Sequence, residues 1–149
     1  MRAVVQRVSE ASVSVGGQCV GRIGSGLLIY LGVAAGDGAA DIEYIVSKAR
    51  ELRIFEDADG KMNRSVVDAG GGILMVSQFT LSGDARRGRR PSFAGAEVPV
   101  VARERYEQTV AALRSSGLAV ETGVFQADML VSSINNGPVT ILLDSSRLF

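Results

Sequence analysis

Four consecutive polar and aromatic residues, Ser77, Gln78, Phe79 and Thr80, close an apolar run and precede a long loop. Two hydroxyls and an amide at the end of a strand are groups that bind a carbonyl or attack it. An attacking hydroxyl needs a base, and the chain contains no histidine. That absence removes Ser-His and Cys-His arrangements, the usual base near neutral pH and the commonest metal ligand. Only Lys, Asp, Glu or the substrate itself remains to take a proton. Read alone, the stretch is also a strand leaving the core.

A second group follows at once. Arg86, Arg87, Arg89 and Arg90 lie within five residues and run into Pro91-Ser92-Phe93. The chain carries 16 basic and 16 acidic residues, so no global field would attract an anion. A local cluster would, because the guanidinium fork fits phosphate, and Phe93 adds a surface for stacking. A solvated basic loop is the plainer alternative. A loop this long is uncommon unless functional or disordered, which tips the reading toward phosphate. Such contacts hold a nucleic acid without reading its sequence.

The third stretch is Asn135-Asn136-Gly137-Pro138-Val139-Thr140, which interrupts an apolar run. Proline donates nothing to a ladder and belongs at an edge, a bulge or a turn. A plain turn between two strands is the simplest reading. An X-Pro bond also reaches the cis form readily, and a cis Gly-Pro would direct carbonyls outward as acceptors for an ammonium group. Other segments carry less. The three glycines at 70–72 lack the Lys-Ser/Thr of a phosphate loop. Residues 56–61 lack the ligand spacing of a calcium loop and read as a turn. Cys19, the single cysteine, forms no internal disulfide or cysteine-based zinc site and reads as structural.

The elements that must position these groups are legible as a pattern. Residues 2–8 and 11–15 read as strands, with a hairpin through Gly16-Gly17 into residues 18–23. Residues 27–33 are apolar on both faces, as in a central strand. A helix follows with Asp41 as its N-cap and Ile42, Ile45, Val46, Ala49 and Leu52 on one face. Residues 73–81 read as a second buried strand, with Ser77 and Phe79 on one face and Gln78 and Thr80 on the other. Pro99 opens a second helix, with Ala102, Tyr106, Val110 and Leu113 on one face, ended by Gly117. Residues 118–122 form a strand and 129–143 an interrupted strand pair. The pattern is α+β, one domain over residues 1–149. No run approaches a membrane span and the start has no signal-peptide pattern, so a soluble, cytoplasmic protein is expected.

Together with "MRAVVQRV", "LRIFED", "GKMN" and "ETGVFQADM", the segments "VSQFTL", "RRPSF" and "NGPVT" resemble the D-aminoacyl-tRNA deacylases. The resemblance runs nearly end to end, and the Ser-Gln-Phe-Thr and Asn-Gly-Pro-Val-Thr segments are that family's signature pair. It implies a mixed, mainly antiparallel sheet curled into a roll or partial barrel with two amphipathic helices. It also implies a homodimer with active sites at the subunit interface. Ser77, Gln78, Phe79 and Thr80 of one chain would form the catalytic pocket. Gly137 and Pro138 of the other, joined by a cis bond, would hold the substrate's amino group and exclude L side chains.

By the same resemblance Arg7 supports the Gly-Pro segment, and Phe125 and Met129 lie near the terminal adenine. The substrates would be D-aminoacyl-tRNA and glycyl-tRNA, with neither metal nor organic cofactor. Hydrolysis would rest on water, the RNA 2′-hydroxyl and a backbone N–H near Phe79, with Thr80 as an alternative nucleophile. Phosphate contact by Arg86, Arg87, Arg89 and Arg90 is read from the residues rather than the family. Two departures stand beside matched positions: Asn136 where Asp is frequent, and Gln126 where Gly is common. The competing readings are a non-catalytic RNA- or nucleotide-binding module on the same fold, and a structural dimer whose Gly-Pro is only a turn.

Overall fold

The computed structural model describes residues 1–149. Strand β1 (Arg2–Val15) turns back through Gly16-Gly17 into β2 (Gln18–Ile23), an antiparallel hairpin. Strand β3 (Gly26–Gly32) then pairs antiparallel with the first half of β1. Helix α1 (Ala39–Glu51) and a small hairpin of β4 (Phe55–Glu56) and β5 (Met62–Arg64) follow. Strand β6 (Gly72–Ser77) returns parallel to β3. A 3-10 turn (Phe79–Ser82) and a long loop lead to helix α2 (Pro99–Ser115). Strand β7 (Val120–Thr122) lies parallel to β6, and β8 (Leu130–Asp144) lies antiparallel to β1 along nearly its whole length. No helix is long and apolar enough to cross a membrane.

β3 and β6 are apolar on both faces because both faces are covered. Leu27, Ile29, Leu31, Ile73 and Met75 enter a large cluster with Ile45 and Ala49 of α1 and Tyr106, Val110 and Leu113 of α2. Leu28, Leu74 and Val76 enter a smaller one with Val8, Ala11, Val13 and Ile23. Val8 and Ala11 are an odd number of residues apart and would face opposite ways in a regular strand. The register shift between Val8 and Glu10 brings both to one side.

The sheet curls until its outer strands meet. A Cβ on Gly21 of β2 would stand 2.6 Å from the Thr122 carbonyl oxygen of β7, so the closure requires glycine there. The result is the expected α+β architecture, a mixed, mainly antiparallel roll with two helices.

Three local expectations are corrected. Asp41 does not cap α1; Gly38 does, and the Asp41 carboxylate reaches back from the first turn to accept its N–H at 2.8 Å. The strand expected over 73–81 stops at Ser77, because its partner β3 ends at Gly32. Gln78 N–H makes the last link, to the Leu31 carbonyl at 2.8 Å, and the next residues turn. Finally, residues 129–143 are no turned pair. Both sides of Gly137-Pro138 belong to β8 and pair with β1.

Candidate active site

Where β6 ends and the chain turns, Ser77, Gln78 and Phe79 form one wall of a cleft of about 590 Å³. That volume falls within the ~300–1,000 Å³ usual for small-molecule sites. Glu97, Pro99 and Ala102, at the start of α2, form a second wall. Phe125, Gln126, Asp128 and Met129, from the loop before β8, form a third. The fold therefore brings Phe125 and Met129 to the same cleft as the Ser-Gln-Phe segment, although no local pattern linked them.

Thr80 is not part of that wall. Its hydroxyl accepts a hydrogen bond from Gln78 Nε2 at 2.5 Å, and no carboxylate or amine touches it. The 3-10 turn is closed by Leu81 N–H to the Gln78 carbonyl and Gly83 N–H to the Thr80 carbonyl. Phe79 opens the turn, so its own N–H has no partner inside it. The Phe79 ring is 59% exposed and meets Phe93 edge-on, with centroids 5.1 Å apart. This aromatic pair ties the arginine loop to the lip of the cleft. Glu97 is a weakened base, because the N–H groups of Val98 and Gly36 hold its carboxyl below the ordinary value.

The arginine loop is closed at its base, where Asp84 N–H reaches the Ser92 carbonyl at 2.7 Å and Ser92 N–H the Asp84 carbonyl at 2.9 Å. Arg86 grips the Asp84 carboxylate twice, Nε to Oδ1 at 2.9 Å and Nη2 to Oδ2 at 2.7 Å. Those bonds hold the Asp84 carboxyl far below the ordinary carboxylate range. Of the four arginines expected to form an anion site, Arg86 is thus engaged by Asp84. Arg87, Arg89 and Arg90 are exposed and enter no salt bridge.

The Gly-Pro segment stands apart from the cleft within one chain; neither Gly137, Pro138 nor Arg7 lines it. Thr140 pairs with Gln6 and Asn135 with Val8, so Arg7 alone faces residues 136–139. Four residues against one cannot lie flat, and Asn136, Gly137 and Pro138 protrude exposed. The Gly137-Pro138 peptide is cis. Arg7, 6% exposed, fastens the base of the protrusion. Its Nε donates to the Asn136 carbonyl at 2.9 Å and its Nη1 to the Ile54 carbonyl at 2.8 Å, while Nη2 lies 3.6 Å from Glu56 Oε1. Asn135 clamps the other side, accepting from Val139 N–H at 2.8 Å and donating to Thr140 Oγ1 at 2.8 Å. Gly137 has φ +132°, and a Cβ there would meet Val139 Cγ2 at 2.8 Å and Arg7 Nη2 at 3.0 Å.

The two departures acquire physical content. Arg7 takes the main-chain carbonyl of residue 136, which Asn supplies as well as Asp. Gln126 has φ +63° in the cleft wall, a conformation glycine adopts freely and other residues hold at a cost of about 1 kcal/mol. Sequence reasoning missed Glu97 and Pro99 as wall residues and assigned Ala102 to the packing face of α2. Nothing in the helical periodicity separates a residue that packs on the core from one that lines a cleft at the helix start.

Residues 4–144 match the family model described as D-Tyr-tRNA(Tyr) deacylase. The chain is 60% identical over 149 residues to "D-aminoacyl-tRNA deacylase" of Desulfitobacterium hafniense, covering 100% of both. It is 59% identical over 149 residues to the protein of the same name in Anaeromyxobacter dehalogenans, again covering 100% of both. Among solved structures it is similar to "c-Myc DNA Unwinding Element Binding Protein", with TM-score 0.92 and 41% identity over 97% of this chain and 98% of the other. A "probable eukaryotic D-amino acid tRNA deacylase" shares the fold at TM-score 0.78 and 18% identity, over 95% and 97% of the two chains.

Proposed function

The chain belongs to the D-Tyr-tRNA(Tyr) deacylase family and is a hydrolase of D-aminoacyl-tRNA; on that premise we propose that it proofreads chirality with main-chain groups. The observation that carries this reading is the protrusion at residues 136–139, which sets backbone outward on an arginine-fastened base. Two chains form a homodimer, and Gly137 and Pro138 of the partner subunit enter the cleft beside Ser77, Gln78 and Phe79. Their carbonyls take the substrate's ammonium group. An L side chain then collides with fixed backbone, while a D side chain points away. Glycine has nothing to collide, so glycyl-tRNA mischarged on a non-cognate tRNA is also a substrate.

Phe125 and Met129 receive the terminal adenine, and Arg87, Arg89 and Arg90 touch phosphates. Water attacks the ester carbonyl, the ribose hydroxyl leaves, and free amino acid and tRNA result. The developing oxyanion is held by the Phe79 N–H, and the RNA 2′-hydroxyl assists the proton transfer. Two features support the backbone over Thr80: the unpartnered position of that N–H at the head of its turn, and the Thr80 hydroxyl already engaged by Gln78. The protein does this work in the cytoplasm.

The test is ester loss from D-Tyr-tRNA and L-Tyr-tRNA side by side, with sedimentation on the same sample. D-selective loss by a dimer is expected. A fully active, D-selective monomer would sink the cross-subunit arrangement. The binding-only alternative draws support from the similar protein named for DNA-unwinding-element binding. Capture of tRNA without D-selective ester loss would decide for it.

A further inference from the structure

Arg103 is a cation beside Phe125 that no salt bridge claims. It follows Ala102, which lines the cleft, and it is exposed on α2. Its guanidinium carbon lies 5.0 Å from the centroid of the Phe125 ring, within range of a cation–π contact. Tyr106, one turn further along α2, packs against the same ring at 5.9 Å. The ring is thereby placed against one ridge of the helix, with the Arg103 guanidinium against a ring that itself lines the cleft.

Several other arginines are engaged elsewhere. Arg2 pairs with Asp144, Arg7 with Glu56 and two carbonyls, and Arg86 with Asp84. Arg105 lies 4.0 Å from Glu104, and Arg114 donates twice to the Val120 carbonyl. Arg103 enters no salt bridge, so its planar fork is positioned by Phe125 yet left with its donors unfilled.

A nucleoside seated against Phe125 carries its 5′-phosphodiester toward the point where the strand leaves the cleft. A phosphodiester is the anion for which a pre-positioned planar fork is suited, more than a flexible ammonium. We propose that Arg103 grips the phosphodiester next to the terminal adenosine, and so makes the enzyme prefer an ester borne on a nucleic acid to one borne on a free nucleoside. The proposal rests on the reading that the Phe125 side of the cleft receives that adenosine.

The experiment compares two substrates, D-Tyr-tRNA and 3′-O-D-tyrosyl-adenosine, which has no phosphate. Arg103→Ala is expected to raise KM for the tRNA about tenfold with kcat retained, and to leave the nucleoside ester and the melting temperature unchanged. Its salt dependence of tRNA binding should fall by about one unit of slope. Arg103→Lys should restore part of the loss. Equal impairment of both substrates would overturn the proposal, since Arg103 would then only support Phe125. So would an unchanged KM for tRNA. Phe125→Ala separates the failures: if it spares the nucleoside ester, the adenosine placement falls and the arginine assignment with it. If it impairs that ester while Arg103→Ala spares tRNA, only the arginine assignment falls.

Discussion

Arg7 Nε and the carbonyl oxygen of Asn136 lie 2.9 Å apart, and through that bond β1 carries the outward segment of β8. The same guanidinium is anchored below by the Ile54 carbonyl, so the segment is tied to the small hairpin beneath it as well as to its neighbouring strand.

Replacing Arg7 by Ala leaves two carbonyls without their donor in a site only 6% exposed. Hydrogen bonds to a charged donor each contribute about 1.5–3 kcal/mol, so a loss of about 3 kcal/mol in urea denaturation is expected. Discrimination between D-Tyr-tRNA and L-Tyr-tRNA should weaken in the same variant. Full selectivity in a folded Arg7→Ala protein would contradict the role given to the protrusion.

Thr80→Val removes the hydroxyl that Gln78 engages but keeps the shape of the side chain. If backbone holds the oxyanion, kcat should stay within about tenfold of wild type. A loss of three orders of magnitude or more in single-turnover assays would make the hydroxyl the nucleophile instead.

The arginine loop divides into two kinds of residue. Arg87→Ala, Arg89→Ala and Arg90→Ala should each weaken tRNA binding and lower the slope of log affinity against log salt by about one. Arg86→Ala, with its guanidinium already on Asp84, should leave the slope unchanged. Filter binding at several ionic strengths distinguishes the two outcomes, and an affinity flat across salt in wild type would remove the loop from the interface.

Tyr106 predicts the alkaline limit of the fold. Its hydroxyl donates to the Met75 carbonyl at 2.8 Å, and burial holds the phenol well above its ordinary 10.0. The unfolded chain ionises this group at about 10 while the folded chain resists. The stabilisation is therefore whole below pH ~10 and is lost as pH rises through the folded value. Urea midpoints should decline steeply only above pH ~10. Tyr106→Phe should cost about 1 kcal/mol at neutral pH and flatten that decline. Tyr30, also raised by burial, keeps part of it in place. An unchanged alkaline decline in the Phe variant would show that Tyr106 does not govern it.

The helices and the opening hairpin were legible because their information is local: apolar residues at helical spacing, and Gly16-Gly17 between alternating runs. The course of β8 was not. Gly137-Pro138 looks like a turn in isolation, and only the 14-residue length of β1 reveals that one partner serves both sides of it. The 3-10 turn after Ser77 was likewise invisible, since it depends on where β3 ends. The Arg86–Asp84 pairing is hidden for the opposite reason. Its partner Asp84 is near in sequence, but a basic run reads as a block until one member is seen folded back.

The four-against-one mismatch opposite Arg7 has a consequence for insertions. Because the ladder resumes on either side of it, residues can be added or removed there without re-phasing β1, β3 or the core behind them. The reach of the loop is therefore set apart from the phase of the strands that bear it, and what ties the two is the Arg7 guanidinium at its base.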